Sequence, residues 1–231
     1  MIVFCEISWH DKTFWESVTL KIVYKGKFNS LDNLPKGVLP ADAVKFREPE
    51  SMLALNLAVL PYFVVPIVLF ALALLVKILL HSQIGEINVF SVWGIALSLV
   101  MIFPHELLHA IAFPKKAEVE VWYSLKYMVA FCVSTYPTTK ARFIWLSVLP
   151  ALTLGVVPLA LWTVLPPAAT VFSTGLLSFS VFSLMYCCGD FMNVKNALTQ
   201  MPKGSVTQLS GMNSYWYFPI GHNHGSSQQV K

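Results

Sequence analysis

Residues 89–113 read VFSVWGIALSLVMIFPHELLHAIAF, a long apolar segment that contains the pattern H-E-x-x-H at His105, Glu106 and His109. On a helix, residues four apart share a face, so His105 and His109 can present two imidazoles to one metal ion. Glu106 is close enough to act as a general base on a metal-bound water. Placing a charged side chain in the middle of a membrane costs about 2.5–3.5 kcal/mol on insertion scales. These residues therefore indicate a functional metal site.

The composition predicts an integral membrane protein. Of the 231 residues, 56% are hydrophobic and only 12% are charged, whereas soluble domains average about 25% charged residues. The net charge of +4 comes from scattered Lys and Arg residues without a basic, aromatic-interleaved run, so no nucleic-acid partner is expected. The lipid bilayer is therefore the expected surrounding of most of the chain.

Four apolar segments have roughly the twenty residues that span a bilayer. They cover residues 53–76, 89–113, 143–165 and 168–192. We therefore expect an α-helical membrane protein with about four transmembrane helices. Residues 53–193 would form the four-span domain, residues 1–52 a small, β-prone cytoplasmic region, and residues 194–231 a cytoplasmic tail.

Short β-prone stretches lie outside these spans. Residues 2–9 and the nearly alternating residues 17–24 predict a hairpin of two strands. Residues 119–133 predict a hairpin-like cytoplasmic loop between the second and third spans. That loop is expected to lie on the membrane surface, to hold an unwound substrate by adding a strand, or to do both.

Charge placement predicts the orientation, because loops rich in Lys and Arg stay in the cytoplasm. The connections at 81–88 and 166–167 contain no Lys or Arg, whereas the loop at 114–142 contains five. The regions on either side of the four-span domain are also basic. Both termini are therefore expected in the cytoplasm. The H-E-x-x-H pattern and Asp190 are expected to lie at the same depth, near the cytoplasmic face of the membrane.

A catalytic zinc usually has three protein ligands and one position for water, so the two histidines need a partner. Asp190 is the favoured candidate, since it ends an apolar span beside Gly189, a small residue that permits close helix approach. The alternative is a plain helix-end carboxylate. Glu118 and Glu120 are weaker candidates, because their strand is expected to point them into solvent. Asn193 lies one turn beyond Asp190 and can orient that carboxylate or bind substrate.

Two other sets of possible metal ligands have simpler interpretations. Cys187 and Cys188 diverge by about 100° on a helix, so we interpret them as reduced thiols used in packing. His222 and His224 lie in a Gly-, Ser- and Gln-rich end that is expected to be disordered.

These features resemble two known groups of proteins. A metal motif on one transmembrane helix, a β-prone loop and an Asp at the end of a later span are similar to the core of site-2 proteases, the intramembrane zinc metalloproteases. A closer resemblance, over about residues 30 to 218, is to a zincin-like family of small bacterial multi-pass membrane proteins called a domain of unknown function. It rests on four stretches of this sequence: the Pro-rich lead-in 31–48, residues 105–110, residues 142–150, and Gly189-Asp190. Site-2 proteases have an Asp-Gly pair, whereas here Gly189 precedes the Asp and Phe191 follows it.

The resemblance implies that Zn²⁺ is bound by His105, His109 and Asp190, with Glu106 as catalytic base. The implied function is a zinc metallopeptidase of the bacterial cell membrane that cleaves a membrane protein or peptide near the cytoplasmic face. Two other functions stay open. One is a non-catalytic membrane protein that binds a metal or a partner on the same fold, which would not need Glu106. The other is a transporter, but the spans lack a chain of polar residues across the bilayer.

Overall fold

The computed structural model describes residues 20–82, 87–126, 129–167 and 170–219. The helices in these ranges are α1 Met52–Ala58, α2 Val64–His81, α3 Val92–Val100, α4 Ile102–Ala112, α5 Lys140–Pro150, α6 Val157–Val164, α7 Val171–Tyr186 and α8 Cys188–Gln200. The strands are β1 Lys21–Lys27, β2 Val44–Lys45, β3 Glu118–Ser124, β4 Val129–Val133, β5 Thr138–Thr139, β6 Val206–Ser210 and β7 Asn213–Tyr217. The strand predicted at 2–9 and the pair His222 and His224 lie outside the described residues.

Three helical segments in the described ranges are long and apolar enough to cross a membrane, and a fourth qualifies as a bent pair. The three are Leu53–His81, Val92–Ala112 and Lys140–Val164. α7 and α8 together make the fourth, with a bend of 46° between them. The structure is thus mostly helical with three or four such segments, plus two small sheets, where the sequence predicted about four spans and β-prone loops.

Prolines account for three interruptions in these segments. A 3₁₀ turn at Leu60–Phe63 contains Pro61 and separates α1 from α2. Pro104 has no N–H to give to the carbonyl of Val100, where α3 ends and α4 follows. A π-helical stretch, Ala151–Val156, begins directly after Pro150 and joins α5 to α6. The missing proline N–H groups therefore divide these segments into shorter helices.

The ends of two predicted spans differ from the structure. The first was expected to end at residue 76, but α2 continues to His81 and includes a buried lysine. Lys77 Nζ donates to the carbonyls of Trp162 at 2.7 Å and Leu165 at 2.6 Å, and it lies 4.4 Å from the Trp162 ring centroid. A charge that caps the C-terminal carbonyls of α6 can remain inside an apolar segment.

The fourth predicted span places Asp190 at its end, whereas the structure bends the helix at Cys187 and places Asp190 in the first turn of α8. α8 then continues to Gln200, and residues 206–217, predicted as part of a tail, form β6 and β7. The polar composition of this region indicated solvent exposure. It did not show that the aromatic side of β7 packs against Phe46, Ala197 and Met201 through Trp216.

The first turns of α3 and α7 pack closely against each other. A Cβ at Gly94 would lie 2.3 Å from the carbonyl oxygen of Gly175, so the two helices touch at their backbones. Ser178 Oγ donates to the carbonyl of Val89 and accepts from the N–H of Ser91. α3 continues into α4, which carries the two histidines, and α7 continues into α8, which carries Asp190. The contact therefore helps to set the position of the histidines relative to Asp190.

Two small sheets pack at the end of the bundle where these residues lie. In the first, of order β1-β3-β4, β1 is parallel to β3, and β3 and β4 form the hairpin predicted between the second and third spans. The second has the order β2-β7-β6-β5 and is antiparallel. β4 is therefore an edge strand. Its free edge faces a cavity between the sheets and the helices.

Candidate metal centre

Three side chains from two distant parts of the chain meet at one point. His105 and His109 lie on successive turns of α4, and their Nε2 atoms are 3.1 Å apart. Asp190 Oδ1 is 3.1 Å from Nε2 of His109, and Asp190 Oδ2 is 3.2 Å from Nε2 of His105. All three residues are only 6–8% exposed. The α3–α7 contact thus places a carboxylate in front of both imidazoles.

The donor set fits a zinc ion. Tetrahedral zinc with bonds of about 2.0–2.1 Å separates its ligand atoms by about 3.3 Å, close to the 3.1–3.2 Å found here. Two imidazole nitrogens and one carboxylate oxygen also leave a fourth position for water, as catalytic zinc sites do. Asp190 Oδ2 is buried and makes no well-formed hydrogen bond among the described residues, as expected of an atom reserved for a cation.

The backbone holds His109 in the tautomer that a metal requires. Its Nδ1 lies 2.7 Å from the carbonyl oxygen of Leu146 in α5. Because a carbonyl can only accept, Nδ1 carries a proton and donates it there, which leaves Nε2 as the ring nitrogen available to a metal. Sequence reasoning missed Leu146, since the residue acts through its main chain.

Cys187 lies on the other side of His105, with its Sγ 3.9 Å from Nδ1 of that ring and donating to the carbonyl of Ser183 at 3.2 Å. The set His105, Cys187 and Asp190 is compact enough to hold an ion. However, the two ring nitrogens point in different directions, and Asp190 faces Nε2. The thiol is therefore an outer neighbour of His105, and the sequence interpretation of Cys187 as a packing residue overlooked this contact.

Glu106 lies beside the ligands without joining them. Its Oε1 is 3.9 Å from Nε2 of His105, farther away than Asp190 Oδ2, which lies 3.2 Å from the same nitrogen. The side chain is 7% exposed and interacts with the backbone of Cys132 in the edge strand β4. This position suits a base acting on a water in the fourth ligand position better than it suits a fourth ligand.

A cavity of about 470 Å³ opens onto the three ligands and Glu106. Its walls come from the lead-in before α1, from α1, α4, β4, α5, α8 and β6. The charged residues of its described lining, histidines aside, are Glu48, Glu106 and Asp190, and the lining contains no Lys or Arg. Glu48 was not singled out from the sequence, because a single Glu in a Pro-rich connector has no distinguishing pattern.

Glu48 is held by the second sheet. Its Oε1 accepts the N–H of Ser214 in β7 at 2.5 Å. Burial raises the pKa of Glu48 above its ordinary value, while the Ser214 N–H acts in the opposite direction. The cavity therefore contains a further carboxylate, that of Glu48, whose ionised form costs free energy and which is not one of the metal ligands.

The remaining predicted site residues fall in different places. Asn193 lines the same cavity as Asp190. Glu118 and Glu120 instead pair with β1, since Lys21 Nζ is 3.0 Å from Glu118 Oε2 and Lys25 Nζ is 3.1 Å from Glu120 Oε1. The structure does not bring these two carboxylates to the histidines.

Gly189 does not serve the close helix approach that the sequence suggested. A Cβ at this position would have nothing within 4 Å. The close approach is at Gly94, whose Cβ would overlap the backbone of α7.

Comparison with known proteins agrees with this geometry. Residues 98–206 match the family model described as "Putative zincin peptidase", and the match contains both histidines, Glu106 and Asp190. It covers a little less than half of the chain. No curated protein and no solved structure matches the sequence. The match supports a metallopeptidase of the zincin class and, with it, zinc as the metal.

Proposed function

We propose that this protein is a membrane-embedded zinc metallopeptidase that hydrolyses peptide bonds of membrane or membrane-adjacent proteins near the cytoplasmic face. The observation that carries the proposal is the meeting of His105, His109 and Asp190 at ligand distances, with Glu106 beside them at the end of a cavity. The match to the zincin peptidase family supports it. A protein that only stores a metal has no need of a buried Glu106.

The protein groups have separate tasks in this reaction. An ion held by the three ligands supplies Lewis-acid activation of water and of the substrate carbonyl. Glu106 accepts a proton from the attacking water as the C–O bond forms, and it then delivers that proton to the amine released when the C–N bond breaks. The Leu146 carbonyl keeps the His109 ring oriented throughout.

The membrane setting is supported by the apolar segments. The Leu53–His81 segment is strongly apolar, yet only 11% of its most apolar part is buried inside the protein. Such a surface needs an apolar surrounding. The excess of Lys and Arg in the 114–142 loop supports the cytoplasmic placement of the metal centre.

The edge of β4 is the proposed substrate platform. An extended peptide added to a free strand edge exposes its carbonyls, which a helical segment keeps in its own hydrogen bonds. Residues 129–134 line the cavity, and Cys132 lies beside Glu106. A peptide on this edge therefore passes the proposed base. The carboxylates of the cavity, without Lys or Arg among the described lining residues, favour a neutral or basic segment.

Metal analysis of the purified protein tests the metal site. We expect about one zinc per chain, lost in His109→Ala and Asp190→Ala and kept in Glu106→Gln. Glu118→Gln is a control, because its carboxylate pairs with Lys21 at the surface. Zinc that stays bound in Asp190→Ala would remove that residue from the ligand set.

Activity is tested by comparing membrane proteins in cells with the wild-type chain and with Glu106→Gln. A general base contributes about 100-fold or more, so the cleavage product is expected to disappear in the variant while the zinc content does not change. Identical membrane proteomes in the two strains would instead indicate a non-catalytic metal-binding protein.

A further inference from the structure

The carbonyl that orients His109 is available because of the residue four positions later. In an α-helix the carbonyl of Leu146 accepts the N–H of residue 150. Residue 150 is a proline, which has no N–H and whose ring clashes with that same carbonyl. Both effects turn the Leu146 oxygen away from the helix axis. The oxygen lies 2.7 Å from Nδ1 of His109 on the neighbouring helix α4.

We propose that Pro150 is a positioning residue for the metal centre: it frees the Leu146 carbonyl to accept the Nδ1 proton of His109, and it thereby keeps the Nε2 lone pair directed at the metal. The inference rests on the metal site of the proposed function, although the hydrogen bond itself exists without a metal. Pro150 touches neither metal nor substrate. It acts through Leu146 and His109.

The burial of the three residues gives this bond its importance. Pro150 is fully buried and Leu146 is 5% exposed, and the Leu146 carbonyl is the partner that the structure places at Nδ1. A buried acceptor that already has a helical N–H partner is a poorer acceptor for a second donor. With a second donor at position 150, the bond that orients the His109 ring is weakened. Outer partners of metal-binding histidines typically change metal affinity by about 10–100-fold when lost.

The same helical segment offers a matched control. Pro158 also lacks an N–H, and it lies near the start of α6, eight residues after Pro150. A π-helical stretch meets α6 here, so an N–H at position 158 would bond to the carbonyl of Leu154 or of Thr153. Neither residue lines the cavity at the metal centre. Pro158→Ala thus repeats the backbone change of Pro150→Ala at a place where no ligand depends on it.

The first measurement is hydrogen exchange of the His109 Nδ1 proton, followed by NMR of histidine-labelled, zinc-free protein in micelles. The Nδ1 proton is the informative one, because the Asp190 carboxylate faces Nε2 and favours a proton there when no metal is bound. In the wild type we expect an Nδ1 proton that exchanges slowly because it is bonded to the Leu146 carbonyl. In Pro150→Ala and in Pro150→Val, which better fills the buried volume, we expect faster exchange of this proton, and in Pro158→Ala the wild-type exchange. A wild-type His109 without a slowly exchanging Nδ1 proton would overturn the inference without any variant.

The second measurement is zinc affinity by competition with a chelator. Both Pro150 variants should bind zinc about 10–100-fold more weakly, and Pro158→Ala should stay within twofold of the wild type. Unchanged Nδ1 exchange and zinc affinity in both Pro150 variants would also overturn the inference. If the wild type shows the slowly exchanging Nδ1 proton and the Pro150 variants lose it, but no zinc binds, the proposed function fails while the role of Pro150 in orienting His109 stands.

Discussion

Replacing Gly94 by Ala tests whether the α3–α7 contact aligns the two halves of the metal centre. The new methyl carbon would lie 2.3 Å from the Gly175 carbonyl oxygen, 2.5 Å from Ser178 Cβ and 3.0 Å from the Phe179 nitrogen. Two of these atoms belong to the backbone and cannot turn away. Since ordinary contacts begin at about 3.5 Å, the helices must separate by about 1 Å.

That separation has two measurable consequences. Overpacking of this kind costs about 1–3 kcal/mol of stability. The displacement also reaches the ligands, because α3 continues into α4 and α7 into α8, while the ligand atoms must stay within 3.1–3.2 Å of one another. We expect zinc to bind at least tenfold more weakly, a loss of about 1.4 kcal/mol or more.

Gly175→Ala is the matched control for this prediction. It lies at the same helix contact, but its Cβ would meet only Ser91 Oγ at 3.8 Å, and alanine favours a helix by about 0.5–1 kcal/mol over glycine. The assays are unfolding in mixed detergent micelles and zinc competition with a chelator. If Gly94→Ala matches Gly175→Ala in both assays, the contact does not align the metal centre.

Two further predictions concern buried charges. Lys77→Met leaves the carbonyls of Trp162 and Leu165 without their donor, so unfolding in micelles should show a loss of about 1–3 kcal/mol in stability. The zinc affinity should not change, because Leu165 lies nineteen residues, about 28 Å of helix, beyond Leu146. Weaker zinc binding would contradict this separation. Glu48 has a raised pKa, so its ionisation disfavours the folded state as pH rises from its unfolded pKa through its folded pKa. Glu48→Gln, which keeps an acceptor for Ser214, should therefore be more stable than the wild type at neutral pH and equal to it in acid, and should lose any preference for basic peptides. A variant that is less stable at neutral pH would show that the charge is compensated within the protein.

Local sequence determined the first half of the candidate site. Residues four apart on a helix share a face whatever surrounds them, so the His105–His109 pair and the adjacent Glu106 follow from the pentapeptide alone. The composition likewise indicated that long apolar helices make up a large part of the chain. The β3–β4 hairpin was predictable because its two strands are close in sequence and the first begins with alternating charged and apolar residues.

The second half of the site depended on tertiary structure. Charge placement suggested that Asp190 and the histidines share a depth, but only helix packing brings atoms of His109 and Asp190, 81 residues apart, to within 3.1 Å. The parallel pairing of β1 with β3 and the position of Glu48 in the cavity also join parts of the chain that no local period connects. Periodicity describes which face of one element is apolar, whereas packing decides which two elements meet. The Leu146 carbonyl lies between these cases: Pro150 frees it by local chemistry, but only the packing of α4 on α5 supplies His109 as its partner.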